Sequence, residues 1–409
     1  MADLVKVKLE KMVYGGDCLG RLPDGRAVFV PFVVPGEVVN ISITEDKKRF
    51  ARGIPIELLE PSPDRIAPRC RHFTECGGCQ YQHLSYTKQL EVKEDVLRDQ
   101  LERIARIENP PIQPIIPAPD PWAYRNHIQF HLSQQGEVGF VHADGEHLLI
   151  IEECHLPQDA INQLWPQLIL GAETGVYRLG IRQDSFDDLM LIMEGDDPSP
   201  PEFSEDIPVS AVYTPPDARL TVLAGDDHLI FSVLDRLFQV SARSFFQVNT
   251  AVAEEMIQHL LEKLSLSSEM NVLELYAGVG LFSAFIAPHV NTLTAVESSG
   301  SACFDFAVNL DEFDNVSLYE AEAENVMASL EIQPDVLVLD PPRAGLANAV
   351  VDAIGGLLPD RIAYISCDPA TLARDLRKLV DKGYHLESVT PFDMFPQTAH
   401  VESISTLYR

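Results

Sequence analysis

Over residues 1–60 apolar and polar positions alternate in short runs, "VKVKLEKMVYGGDCLGRL" and "RAVFVPFVVPGEVVNISITEDKKRFARGIPIELLE", broken by Gly15, Gly16, Gly20, Gly25 and Gly36. Alternation with period two, punctuated by glycine turns, predicts short half-buried strands, and this spacing suits a five-stranded barrel of the oligonucleotide-binding type. The pattern breaks at the proline-rich "LEPSPDRIAPRC". Beyond a cysteine-rich stretch, "YTKQLEVKEDVLRDQLERIARI" places apolar residues at helical spacing, which predicts one amphipathic helix over 85–107. A second proline-rich linker (109–121) leads into mixed strands and loops, with an acidic, proline-rich insert at 195–208 that reads as solvated. From about residue 236 strands alternate with helices, the signature of a parallel sheet with helical crossovers. The predicted domains are therefore 1–60, 61–235 and 236–409, as expected for a chain too long for one core.

Charge changes this picture less than the net value of −31 implies. Residues 1–125 hold 18 Lys/Arg against 18 Asp/Glu, and residues 126–409 hold 13 against 44. A polyanion would therefore have to be met locally, and Lys47, Lys48, Arg49 and Arg52 form the densest basic patch. No signal peptide or long uncharged apolar run is visible, so the reading is a cytoplasmic protein, monomeric and without a membrane partner. Seven cysteines in such a chain read as reduced thiols, metal ligands or a nucleophile rather than disulfides.

Three of them, Cys70, Cys76 and Cys79, sit in "CRHFTECGGC", and Cys154 in "IIEECHL" is the candidate fourth of a soft-ligand set. Four thiolates suit Zn²⁺ or an iron–sulfur cluster. Cys18 and Cys303 have no such company and read as packing residues.

"EMNVLELYAGVGLFSAFIA" is an apolar strand, an acid, a glycine turn and a helix. The turn is not G-x-G-x-x-G, so a dinucleotide is disfavoured. The following strands end at or near Glu297, Glu322 and Asp340. Successive acidic strand ends of this kind resemble the S-adenosylmethionine site of class I methyltransferases. In "YISCDPATLARD", Cys367 closes an apolar strand where a helix begins, and the helix dipole there favours a thiolate. Asp368 beside it reads as a helix cap or as a group orienting a substrate base. Glu402 opens another strand after "FPQTAHV". A nucleophile and a base on neighbouring strand ends fit covalent catalysis followed by proton removal.

These motifs, with "VPGEVV", "YRNHIQFH", "SFFQVNT", "AVESS", "VLDPPRAG" and "DMFPQTAHVE", resemble the RNA uracil-5-methyltransferases over essentially the whole chain. The resemblance is to the branch with an N-terminal TRAM domain and a [4Fe–4S] cluster. It implies a Rossmann-like class I methyltransferase domain, an N-terminal barrel of the OB type (TRAM) that binds RNA, and a central mixed α+β iron–sulfur domain. It further implies Cys367 as nucleophile, Glu402 as general base, and Gln247, Tyr276, Leu281, Glu297, Glu322 and Asp340 at S-adenosylmethionine positions. Cys70, Cys76, Cys79 and Cys154 fall on the cluster ligands, and the implied substrate is a uridine in large-subunit (23S) ribosomal RNA or transfer RNA. Such a base must be flipped out of its stack, and Phe245 and Phe246 are candidates to hold it, with core packing as the other reading. Two rival functions are an amino-methyltransferase using "DPPR" and a non-catalytic iron–sulfur protein that binds RNA.

Overall fold

The computed structural model describes all residues except 1–3, 172–173, 203–207, 217–218, 328–329 and 331; residues 203–207 of the acidic insert thus lie outside the described residues. Strands β1 (Val5–Met12), β2 (Cys18–Arg21), β3 (Ala27–Val30), β4 (Val38–Asp46) and β5 (Phe50–Glu60) close a barrel in the order β1-β2-β3-β5-β4. The inward positions of the alternating runs, among them Val7, Leu9, Val28, Val30, Val39 and Ile41, form its core. Cys18 packs there too.

Helix α1 (Tyr86–Gln100) is capped by Ser85 and continues as one π-helical turn, Leu101–Ala105. It serves two cores at once. Val92 and Val96 pack with the barrel, whereas Leu97, Leu101 and Ala105 pack with the C-terminal layer beside Leu372 and Leu376. The central sheet collects β6 (His127–Leu132), β7 (Val138–Val141), β8 (Leu148–Ile150), β9 (Val176–Gln183), β10 (Leu189–Gly195), β11 (Ser210–Thr214) and β12 (Thr221–Ala224) in the order β12-β11-β10-β9-β6-β7-β8. Helix α2 (Asp159–Leu164) lies between β8 and β9 in the chain. Strands β13 (His228–Val233) and β14 (Arg236–Ser241) form a hairpin whose buried side chains join the C-terminal core. The change of pattern expected near residue 236 thus falls at a hairpin turn, because the local alternation of β13 resembles that of the preceding sheet.

The C-terminal layer runs α3 (Thr250–Leu264), β15 (Asn271–Leu275), α4 (Ser283–Ile286), β16 (Thr292–Glu297), α5 (Gly300–Asn309), β17 (Val316–Glu320), α6 (Ala323–Val326), β18 (Val336–Leu339), α7 (Asn348–Leu357), β19 (Arg361–Ser366), α8 (Pro369–Asp381), β20 (His385–Phe392) and β21 (Glu402–Tyr408). The sheet order is β17-β16-β15-β18-β19-β21-β20, parallel except for β21, which is antiparallel to both its neighbours. Helices cover both faces, so β15, β18 and β19 read as nearly unbroken apolar runs. This is the class I methyltransferase fold, and it brings the carboxyl ends of β15, β16, β18 and β19 to one edge. No described helix is long and apolar enough to cross a membrane.

Candidate active site

The antiparallel register pairs Ser366 with Ser403, so Cys367 and Glu402 follow at adjoining ends of β19 and β21. Asp368 caps α8: its Oδ1 accepts from the amides of Ala370 and Thr371 at 3.0 and 2.8 Å. Of its two sequence readings, the structure carries the cap. Glu402 is 6% exposed. Burial and the charge of Asp340 hold its carboxyl well above the usual range, and Arg343 opposes this without prevailing. The thiol of Cys367 is pushed up to about 12 by burial, then by Glu402 and Asp340. The thiolate expected from the helix dipole is therefore corrected: in this site desolvation and two carboxylates outweigh the half-charge of a helix end. Asp340 is itself raised to about 7 by burial and Glu297.

The loop between β15 and α4 shows why this turn is built from glycine. Gly278 has φ 57° with open space where a side chain would stand, and Gly280 has φ 87° with Leu310 and Phe306 pressed against it. Only a residue without Cβ serves both conformations cheaply. Tyr276, a bulky residue, also adopts φ 65°, a strained choice of the kind concentrated at functional turns. Its amide donates to Val296 at 2.9 Å. Glu297 braces the loop from the next strand: one oxygen accepts from the Gly278 amide at 2.8 Å, the other from Ser298 and Ser299 at 2.7 Å each. Glu322 stands exposed at the start of α6, accepting from Asn325. Gln247 is buried, and its carbonyl accepts from Asn126 of the central region at 2.9 Å. Leu281 is 6% exposed and packed in the core cluster that also holds Ala277 and Val279 of the same loop.

Some participants were not singled out by sequence reading. Glu274, at the end of β15, is 1% exposed and accepts from Ser283, while its Oε1 has no partner. Burial raises it to about 8. An acid closing an apolar strand before a glycine turn was the signal available. The loop before Glu402 is anchored by partners some 300 residues away. Lys93 pairs with Asp393 in full burial and also donates to the Phe395 carbonyl at 3.0 Å. The amides of Gln80 and Tyr81 both donate to the Gln397 carbonyl at 3.0 Å.

Phe245 and Phe246 part company. Phe245 is 70% exposed, whereas Phe246 is buried with its ring 4.6 Å from that of Phe231, so it is a core residue and no clamp for a base. In the basic patch, Lys47 pairs with Glu45 and Arg52 with Asp17, which reduces the charge it offers to phosphates.

Cys70, Cys76, Cys79 and Cys154 all line one cavity of about 240 Å³ beside Gln82 and Arg125. Burial raises all four thiols, Cys79 and Cys154 to about 12. Among the described residues no three of His, Cys, Asp or Glu converge to hold a single metal ion.

Comparison with known proteins agrees with this architecture. The family model for tRNA (uracil-5-)-methyltransferase matches residues 226–409, and the TRAM domain model matches residues 4–56. An uncharacterized RNA methyltransferase of Halalkalibacterium halodurans is 32% identical over 444 aligned residues, covering 99% of this chain and 97% of its own. Another, of Aquifex aeolicus, is 34% identical over 422 residues, covering 98% of each. The Pyrococcus abyssi tRNA (uracil-54, C5)-methyltransferase, solved in complex with S-adenosyl-L-homocysteine, shares the fold at TM-score 0.74 and 24% identity, over 98% of this chain and 99% of that one. Fold and relatives thus define an RNA-modifying enzyme, a class I methyltransferase preceded by a TRAM barrel. The chain belongs to the family of RNA methyltransferases represented by these relatives, and its residues 226–409 form a tRNA (uracil-5-)-methyltransferase family domain.

Proposed function

We propose that the protein methylates C5 of one uridine in structured transfer or large-subunit ribosomal RNA through a covalent adduct on Cys367, using S-adenosylmethionine. The observation that carries this reading is a half-buried thiol set among carboxylates that lack enough positive charge. Glu274, Asp340 and Glu402 are all raised at one sheet edge, and Glu274 keeps an unpartnered oxygen. Such a site fits a cationic ligand, and Gly278 leaves room for one. Tyr276, Glu297, Glu322, Asp340, Gln247 and the backbone at Leu281 would hold the donor. When bound, it supplies an electrophilic methyl group and one positive charge.

This chain's residues supply the rest. Cys367 loses its proton to solvent and its sulfur, as the thiolate, bonds to C6 of the uracil, moving the C5=C6 electrons into an enolate that makes C5 nucleophilic. After methylation Glu402, as carboxylate, takes the proton from C5. Those electrons restore the double bond and expel the Cys367 thiolate, so the proton ends on Glu402 and the cysteine is regenerated. Phe245, exposed and two residues before Gln247, offers a face on which the flipped base stacks. The amino-methyltransferase alternative needs no thiol and leaves Cys367 without a task.

In the same reading residues 1–60 bind RNA, the segment from 61 to about 235 carries the cluster, and the remainder is catalytic. Four soft donors from two distant segments meet at one cavity, and a [4Fe–4S] cluster bridges a wider cradle than a lone zinc ion does. Cys70, Cys76, Cys79 and Cys154 would hold it, tying residues 70–79 to residue 154; the methyl transfer itself calls for no electrons. Protein purified anaerobically should carry iron and sulfide, and a protein carrying zinc alone would refute the cluster. Mapping 5-methyluridine in RNA from a deletion strain and its parent tests the activity. One uridine should lose its methyl group, and identical maps would overturn the proposal.

A further inference from the structure

The barrel reaches Asp368, the residue that follows Cys367. Between β1 and β2 the chain turns through Tyr14, Gly15 and Gly16, with φ 92° at Gly15 and 95° at Gly16. A Cβ on Gly16 would lie 2.9 Å from that of Gln80 and 3.2 Å from that of Ala399. The turn is thus seated against the residue after Cys79 and against the loop that leads to Glu402. From that seat the Tyr14 hydroxyl donates to Oδ2 of Asp368, across 354 residues of sequence. The other oxygen of Asp368 is taken by the Ala370 and Thr371 amides, and its own amide donates to Ser366 Oγ at 3.2 Å. The strand-to-helix turn that carries Cys367 is therefore pinned from the helix on one side and from the barrel on the other.

We propose that Tyr14 is a positioning residue for methyl transfer: it holds the Cys367–Asp368 turn from the barrel, which makes the barrel part of the catalytic site and not only an RNA anchor. This rests on the reading of Cys367 as nucleophile. The phenol is suited to the task, because burial and Asp368 push it up to about 12, so it stays a hydrogen-bond donor at any working pH. Tyr14 remains 46% exposed, so removing its hydroxyl leaves the barrel core untouched.

Steady-state methylation of the mapped RNA by Tyr14→Phe tests this. Losing a hydrogen bond to a charged group should lower kcat about 10-fold to 100-fold, with KM for RNA and the thermal midpoint unchanged. Asp368→Asn keeps the capping oxygen and offers its amide to the Tyr14 oxygen, so it should retain most of the turnover. Alkylation of Cys367 by iodoacetamide, mapped on its peptide, should change in rate in Tyr14→Phe without RNA present. Wild-type kcat in Tyr14→Phe would overturn the proposal, and so would a defect confined to KM, which would make Tyr14 an RNA contact. Cys367→Ala assayed in parallel separates the two readings: turnover by that variant would sink the nucleophile itself, whatever Tyr14 does.

Discussion

The molecule holds two nests of half-buried cysteines, and they are built on opposite plans. At the carboxyl edge of the C-terminal sheet one thiol, Cys367, sits among carboxylates. At a cavity elsewhere in the molecule four thiols, Cys70, Cys76, Cys79 and Cys154, share the lining with Arg125. Both environments hold their thiols protonated in the bare protein, and for the same first reason, burial. The difference lies in what would release the protons. Four thiols lining one cavity would, on the proposed reading, give up their protons to a resident cluster, whereas a lone thiol among acids would respond to a cation that comes and goes. A shared pKa direction thus separates the two sites less well than the identity of their neighbours does.

The largest effect should come from setting one cysteine against the other. Cys367→Ala should lower methyl transfer by about 10⁴-fold or more with the iron content intact, as read by product mass and metal analysis. Cys79→Ala should do the reverse, losing iron while its folded fraction still turns over. Equal losses from both would erase the distinction. Next come the two phenylalanines. Phe246→Ala should destabilise the protein by about 3–5 kcal/mol in chemical denaturation, because its ring lies in the core. Phe245→Ala should leave stability alone and weaken RNA binding by about 1–3 kcal/mol.

A smaller effect sharpens the comparison through charge. S-adenosylmethionine should speed alkylation of Cys367 at pH 8, by about 10-fold for each unit its pKa falls, and the uncharged product should not. The other cysteines should react alike in both cases. The smallest effect concerns stability. Glu274 is raised from its ordinary value to about 8, so its contribution is full below the unfolded carboxyl's pKa and is lost as pH rises through about 8. The ligand-free protein should therefore melt on the order of a few degrees lower at pH 8.5 than at pH 5.5 through this group, and Glu274→Gln should flatten that slope.

Much of this was legible from local pattern. The alternating runs and glycine turns announced the barrel, and the apolar strands with acidic ends announced the parallel sheet. Cys367 and Glu402 could be paired because each sits where a strand meets a turn. What pattern withholds is anything fixed by distant partners. Phe245 and Phe246 are neighbours in sequence, and only packing against Phe231 decides which faces inward. The state of the Cys367 thiol depends on Glu402 and Asp340, which reach it through strand order. Tyr14 touches Asp368 because the barrel docks on the segment after Cys79, a contact without any local signature. Lys93 reads as a helix surface charge until Asp393 buries it.

The division of labour between Cys367 and Glu402 is tested most directly by Glu402→Gln incubated with the mapped RNA and S-adenosylmethionine, then digested and weighed. A base that cannot take the C5 proton should leave the methylated uridine bonded to the Cys367 peptide. Free 5-methyluridine at the wild-type rate, or an adduct on another residue, would contradict the account.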